Sequence, residues 1–311
     1  MENFTNSNYL ILAGLDTISH NKSLYFIFYF FVYSAILFTN LLLVAVILLH
    51  ERLHEPMYIF ICNLCFNGLY GGTAIFPKLL TDIVAEIKTI SDNGCLIQIF
   101  FIQTFGYNEI FFLTLMAYDR YMAICNPLRY SSIMTKVRVC KLVTFPWLYS
   151  FSISLIFIIL IMKYSKCYNI IPYVYCESMS FLQLFCANVT VNSIFETCVA
   201  VSHFSILTIF VTYTYVQIFR ACQNVSKGTK LKALNTCINH LLLLFVSFIC
   251  GFLTFFQAQV GGSIPHFMEF LISMALFIFP PFLNPFIYGI RTQEIRSTIK
   301  KALQKQMIQS K

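Results

Sequence analysis

Long charge-free runs divided by short charged ones dominate this sequence. Between successive Asp, Glu, Lys or Arg residues there are 28 positions from Lys22 to Glu51 and 22 from Glu55 to Lys78. Lys141 to Lys163 encloses 21, Glu196 to Arg220 encloses 23, and Glu269 to Arg291 encloses 21. The 36 positions between Lys232 and Glu269 fit one helix and a loop turning at Gly261, Gly262 and Pro265. A further run, about 96–118, is broken only by Glu109. A helix rising about 1.5 Å per residue needs about 20 mostly apolar residues to cross the hydrocarbon core of a bilayer. The pattern therefore predicts seven spans, about 24–49, 57–83, 96–119, 141–162, 197–219, 234–257 and 268–290. Helices are required because lipid offers no partner to backbone N–H and C=O groups. The short alternating segments of a β-barrel are missing. The expected fold is an all-α membrane protein, a seven-transmembrane helix bundle over 24–291, with an N-terminal segment 1–23 and a tail 292–311. The first span follows a polar segment with no Lys/Arg-rich start and no small-residue cleavage site, so it reads as a retained helix.

Composition agrees with that pattern. The chain has 311 residues, 58% hydrophobic and 11% charged, with a mean hydropathy of +0.74. Soluble domains are about 25% charged. Disorder, a coiled coil, a nucleic-acid-binding domain and an ordinary cytosolic enzyme are excluded. The net charge of +8 is unevenly placed: 16 Lys/Arg fall on one side of the seven spans and 5 on the other. The richer side is expected to be cytoplasmic and the N-terminus outside. The excess is then a collar facing anionic lipid, with no nucleic-acid partner implied. After Arg291, Ile295, Ile299, Ala302, Leu303 and Gln306 alternate with Arg296, Lys300, Lys301 and Lys305. This spacing suits a short amphipathic helix on the inner leaflet.

Candidate chemistry is sparse. Of the twelve cysteines, Cys95, Cys167, Cys176 and Cys186 fall on the outer side, where disulfides persist. Four cysteines allow three pairings, and spacing alone does not choose. Cys62 and Cys65 form C-x-x-C but read as two small apolar residues in a helix. Sequons occur at Asn3, Asn21, Asn188 and Asn224. Asn224 falls inside and Asn21 close to the membrane, so Asn3 is the expected glycan site. His50-Glu51-Arg52-Leu53-His54 matches the H-E-x-x-H zinc signature, but Pro56 follows and no third ligand is evident, so a polar turn is expected. No Gly-rich phosphate loop, G-x-S-x-G or catalytic carboxylate pair is present. Polar residues inside spans are costly and each is a functional candidate: Asn40, Asn63, Asn67, Glu109, His203 and Asn284. Interhelical hydrogen bonding is the plainer reading for the Asn residues. Glu109 must be protonated, paired or ion-bound, and a packing or switch role is expected of it rather than ligand contact.

Several motifs then fall into order. Asp119-Arg120-Tyr121 ends the third span, and Asn284-Pro285-Phe286-Ile287-Tyr288 ends the seventh. Leu53-His54-Glu55-Pro56-Met57-Tyr58 looks like L-H-x-P-M-Y, and Met116 to Cys125 is similar to M-A-Y-D-R-Y-V-A-I-C. Lys232 to Leu241 resembles K-A-F-S-T-C-x-S-H-L, and Pro281 to Tyr288 is close to P-L-L-N-P-x-I-Y. Together these resemble the olfactory receptors among rhodopsin-like G-protein-coupled receptors, over nearly the whole chain. Cys62 to Gly71 looks most like the fish-type members.

The resemblance implies a multi-pass plasma-membrane receptor of sensory cilia. It would bind a small-molecule odorant within the bundle and activate a heterotrimeric G protein of the stimulatory class, with no cofactor and no enzymatic activity. It implies disulfides Cys95–Cys176 and Cys167–Cys186. Its switch residues are Asp119, Arg120, Tyr121, Tyr215, Asn284, Pro285 and Tyr288. Arg220, Lys227, Lys230 and Lys232 would line the partner surface. Its ligand cavity would be lined by Ile102, Gln103, Gly106 and Tyr107 on one face of the third helix, by His203 and Phe204, and by Phe248, Phe252, Phe255, Met274 and Phe277. Ile102 stands where amine receptors carry an Asp, so a biogenic amine bound by that salt bridge is not expected. One departure is Gly68, where rhodopsin-like receptors usually carry the Asp of a sodium site. The alternatives are a non-olfactory small-molecule receptor, which tissue expression would separate, and a transporter, which the missing internal repeat argues against. A membrane protease lacks any catalytic constellation here.

Overall fold

A computed structural model describes residues 8–15, 21–223, 227–260, 265–292 and 294–298. Asn3, Asn224, Gly261, Gly262, the side chains of Lys227, Lys230, Lys232 and Arg291, and the tail beyond residue 298 lie outside the described residues. Among the described residues, seven helices are long and apolar enough to cross a membrane. They are α1 (Lys22–Leu49), α2 (Pro56–Val84), α3 (Asp92–Cys125), α4 (Lys136–Ile161), α5 (Thr190–Gln223), α6 (Lys227–Val260) and α7 (His266–Arg291).

Local sequence sets the ends. Pro56 opens α2 at a position where a missing N–H costs nothing. Ser91 caps α3 by accepting the Gly94 N–H at 3.1 Å, and Thr135 caps α4 through Arg138 N–H at 3.4 Å. Several helices extend past their charge-free runs: α4 starts at Lys136 instead of residue 141 and α6 at Lys227 instead of 234. α3 starts at Asp92 instead of residue 96 and reaches Cys125, and α5 starts at Thr190 instead of 197. A charge excluded from a hydropathy count is tolerated in a helix when protein surrounds it. Residues 294–298 are helical after α7, and Ile295 packs fully buried against the α1–α2–α3 core.

One end of the bundle carries a sheet that hydropathy did not reveal. Strand β1 (Tyr9–Leu12) lies between β2 (Thr89–Ser91), antiparallel, and β3 (Ile170–Ile171), parallel. β1 alternates exposed and buried, sending Leu10 and Leu12 inward. They join Cys95, Ile99, Phe157 and Phe181 in a core under the α4–α5 loop. Gly14 is required there: a Cβ would sit 2.5 Å from the Tyr173 carbonyl carbon. Cys95 is joined to Cys176 and Cys167 to Cys186. The first link ties the α4–α5 loop to the start of α3, and the second closes that loop on itself.

Candidate ligand cavity and switch

The cavity lies at the sheet end. α3 contributes Ile102, Gln103, Gly106 and Tyr107, which share a face because they recur at i, i+1, i+4 and i+5. α5 adds Glu196, Ala200 and Phe204, spaced four apart, and α6 adds Gly251, Thr254 and Phe255. Leu276 of α7 and Tyr175, Glu177, Ser178 and Met179 of the loop complete a space of about 140 Å³. Gly106 opens it, since a Cβ there would meet nothing within 4 Å. The Cys95–Cys176 link positions the loop wall. Next to it, the Cys176 N–H donates to Gln98 Oε1 at 2.9 Å, and Gln98 Nε2 donates to the Ala74 carbonyl at 3.0 Å.

The wall contains a polar cluster. Glu196 Oε1 accepts from Gln103 Nε2 at 3.1 Å and from Ser178 Oγ. Glu177 caps the one-turn helix Ser178–Leu182 by accepting the Ser180 N–H at 2.7 Å. Burial pushes the Glu177 carboxyl above the usual carboxylate range, partly opposed by those backbone and hydroxyl donors.

Five residues expected in the cavity lie elsewhere. His203 points within about 20° of Glu196 around α5 but about 10 Å further along it. There it is enclosed by the rings of Tyr107, Phe111, Tyr149 and Phe204. Phe248 and Phe252 line an outward-facing groove, Phe252 being 61% exposed, while their neighbours Gly251 and Phe255 reach the cavity. Met274 and Phe277 are buried with Tyr29, Phe76, Phe105 and Tyr175, and Leu276 lines the space instead. Ile99, Tyr175, Glu177, Ser178, Met179, Glu196, Ala200, Gly251, Thr254 and Leu276 line the cavity without being expected there. The available signal was the Glu196–Ala200–Phe204 stripe, which marks one helical face.

Below the cavity, α3 carries Glu109, fully buried. Its Oε1 accepts from Asn284 Nδ2 at 2.8 Å and Ser247 Oγ at 3.4 Å, and its Oε2 from Asn67 Nδ2 at 3.2 Å. Helices α2, α3, α6 and α7 thus meet at one carboxyl. Pro285 has no N–H, so the Pro281 carbonyl four residues earlier loses its helical donor. Asn40 Nδ2 of α1 supplies one at 2.8 Å. Gly68 lets these groups approach: a Cβ there would lie 3.3 Å from both Asn40 Oδ1 and Pro281 Cβ. The place of the usual Asp is therefore filled by α1 and α7.

At the far end, Asp119 is buried and accepts from Tyr130 Oη at 2.7 Å, with Arg120 Nη2 3.7 Å from its other oxygen. Tyr215 is hydrogen-bonded to His240 Nδ1. Tyr121 faces Tyr213, their rings 6.2 Å apart. Tyr288 is buried with its hydroxyl unpartnered. The H-E-x-x-H residues form a 3-10 turn, Glu51–Leu53, with His50 Nδ1 2.9 Å from the Val46 carbonyl and His54 Nε2 3.3 Å from that of Leu48. Asn63 Oδ1 accepts from Trp147 Nε1 at 3.3 Å, joining α2 to α4.

Six apolar helices around α3 with its buried polar groups, with an arginine held at one end and a cavity at the other, define a multi-pass membrane receptor bundle. The family model described as olfactory receptor matches residues 29–306. Olfactory receptor 6N1 of Homo sapiens is 31% identical over 297 residues, covering 95% of each chain. Olfactory receptor 52N4 of Homo sapiens is 35% identical over 256 residues, 81% of this chain and 80% of that one. Olfactory receptor 1E16 of Mus musculus is 31% identical over 301 residues, 96% and 95%. The chain belongs to the olfactory receptor family, a family of G-protein-coupled receptors and not of enzymes.

Proposed function

We propose that this olfactory receptor holds its odorant in the cavity between α3, α5, α6 and the Tyr175–Met179 loop, and passes the signal to a heterotrimeric G protein of the stimulatory class at the Arg120 end. The observation that carries this reading is that one helix bears all three centres. Gln103 lies in the cavity, Glu109 at the helix junction and Arg120 beside Asp119. They are separated by about 9 Å and about 16 Å along α3 at 1.5 Å per residue. A ligand that shifts the cavity face of α3 or α6 changes the contacts at Glu109, because Glu109 belongs to α3 and its donor Ser247 to α6. The Asp119–Arg120 contact is then loosened and the arginine is released toward the partner.

In this reading the sheet end faces outside and the Arg120 end the cytoplasm, following the 16-to-5 distribution of Lys and Arg. Surface lipid contacts the exposed apolar flanks and the cytoplasmic collar. The destination is the plasma membrane of a sensory cilium.

The test is a cyclic-AMP reporter in cells expressing the full chain, challenged with a broad odorant panel. A ligand-dependent rise is expected, abolished by Arg120→Ala with surface staining unchanged. Wild-type responses in Arg120→Ala contradict the switch, and responses seen only with reporters of another G-protein class contradict the stimulatory coupling.

A further inference from the structure

We propose that the cavity is built for a primary alkylammonium ion, its N–H donors directed to Glu196 Oε2 and Gln103 Oε1 and its hydrocarbon chain lying against Ile102, Phe204, Phe255 and Leu276. The proposal rests on the cavity reading above and names the ligand class of that same site.

The unpartnered atoms set the chemistry. Glu196 Oε1 is already served by Gln103 Nε2 and Ser178 Oγ. Glu196 Oε2 and Gln103 Oε1 are both shielded from solvent and have no hydrogen-bond partner. Both residues line the cavity. Leaving such acceptors unserved is costly, so a ligand that brings donors gains from them directly. The amide orientation of Gln103 follows from its contact with a carboxylate, which needs the NH₂ group and leaves the carbonyl free.

Charge adds to this. Glu177 is a second carboxylate in the same wall, its Oε2 taken by the Ser180 N–H. Among the described residues, neither Glu177 nor Glu196 is ion-paired, in contrast to Asp82 with Lys78, Asp92 with Lys166 and Asp119 with Arg120. Two carboxylates facing a small low-dielectric space with no cation of their own favour a ligand that supplies one. A carboxylic acid or ester presents lone pairs to lone pairs. An alcohol offers one donor and no charge. A primary ammonium offers three donors and the missing charge, and a tertiary ammonium only one donor. This anchor lies on α5 and the loop, which is why Ile102 at the amine-receptor position of α3 does not exclude it.

The experiment uses the full chain in reporter cells, with n-hexylamine, N,N-dimethylhexylamine, n-hexanol and hexanoic acid as compact straight-chain probes. n-Hexylamine is expected to be the most potent. Glu196→Gln is expected to raise its EC50 more than about tenfold, as for loss of a desolvated charge pair, while Glu196→Asp retains most of the potency and n-hexanol is little changed. If Glu196→Gln does not reach the surface, Gln103→Leu decides, with the same amine-selective loss expected. Amine preference that survives in the surface-expressed variants overturns the proposal. So does a wild type that ignores n-hexylamine yet answers n-hexanol. Gly106→Trp, which fills the space, separates the two levels. If it silences every agonist while Glu196→Gln spares the amine, only the ammonium assignment fails. If it silences none, the cavity reading fails with it.

Discussion

Glu109 and Glu196 both sit inside membrane-crossing helices, and the bundle treats their oxygens differently. Both oxygens of Glu109 accept hydrogen bonds, from Asn67, Ser247 and Asn284 on three other helices. Glu196 has one oxygen served by Ser178 and Gln103 and the other left without a partner beside a cavity. A buried polar group that is fully satisfied acts on the arrangement of the helices around it. One left partly unsatisfied at a cavity wall acts on whatever enters. Position alone would not have separated the two, because both are acidic residues in apolar helices. The donor inventory does.

The largest expected effect follows from breaking the satisfied member. Glu109→Ala removes the acceptor shared by Asn67, Ser247 and Asn284, of which Asn67 Nδ2 keeps the Phe105 carbonyl, and each buried donor left unpaired costs about 1–3 kcal/mol. Loss of both surface delivery and signalling is expected, read by surface staining and the reporter. Glu109→Gln keeps the shape and one acceptor, and much of the response should persist. Glu196→Ala strands only Ser178 and Gln103 at the cavity edge, so its surface delivery should remain near wild type. Equal loss of delivery in both alanine variants would erase the contrast.

Next in size is the support of the open member. Cys95→Ser frees the loop that carries Glu177 and Ser178, and losing a native disulfide costs about 2–5 kcal/mol. Poor surface delivery is expected. Free thiols at Cys95 and Cys176, found by mass spectrometry of the native protein, would contradict the link. Smaller again is Asn40→Ala, which leaves the Pro281 carbonyl without its donor at about 1–3 kcal/mol. Its expected signature is a lowered melting temperature of the purified receptor with ligand selectivity unchanged. A shift in selectivity would mean that the Glu109 side of the molecule also reads the ligand.

Much of this architecture is legible in the sequence because lipid imposes a strict rule on length. Each of the seven helices corresponds to one apolar run, and the Asp119–Tyr121 and Asn284–Tyr288 motifs fall within the last turns of α3 and α7, short of their ends at Cys125 and Arg291. Helix ends are less legible. Asp92 opens α3 under a Ser91 cap, and Glu196 was used to mark the edge of α5 although it lies inside the helix. The cavity wall was only partly legible for a related reason. In a membrane bundle, the face toward lipid is as apolar as the face toward the interior. Phe252 and Gly251 cannot be assigned to their sides by hydrophobicity, and the aromatic of the pair is the one facing outward. The resemblance puts His203 in the cavity wall, but its ring lies behind the lining residues Tyr107 and Phe204, enclosed with Phe111 and Tyr149. The sheet around Tyr9–Leu12 depends on pairing with Thr89–Ser91 and Ile170–Ile171, contacts distant in sequence that no local pattern announces.

The division of labour between the two carboxylates is tested most directly by one pair of concentration–response curves. n-Hexylamine is applied to Glu109→Gln and Glu196→Gln side by side, each normalised to surface expression. The account predicts that Glu109→Gln stays within about threefold of wild-type potency, whereas Glu196→Gln is displaced by more than about tenfold, the equivalent of roughly 1.4 kcal/mol. The opposite order, with potency kept in Glu196→Gln and lost in Glu109→Gln, would contradict it.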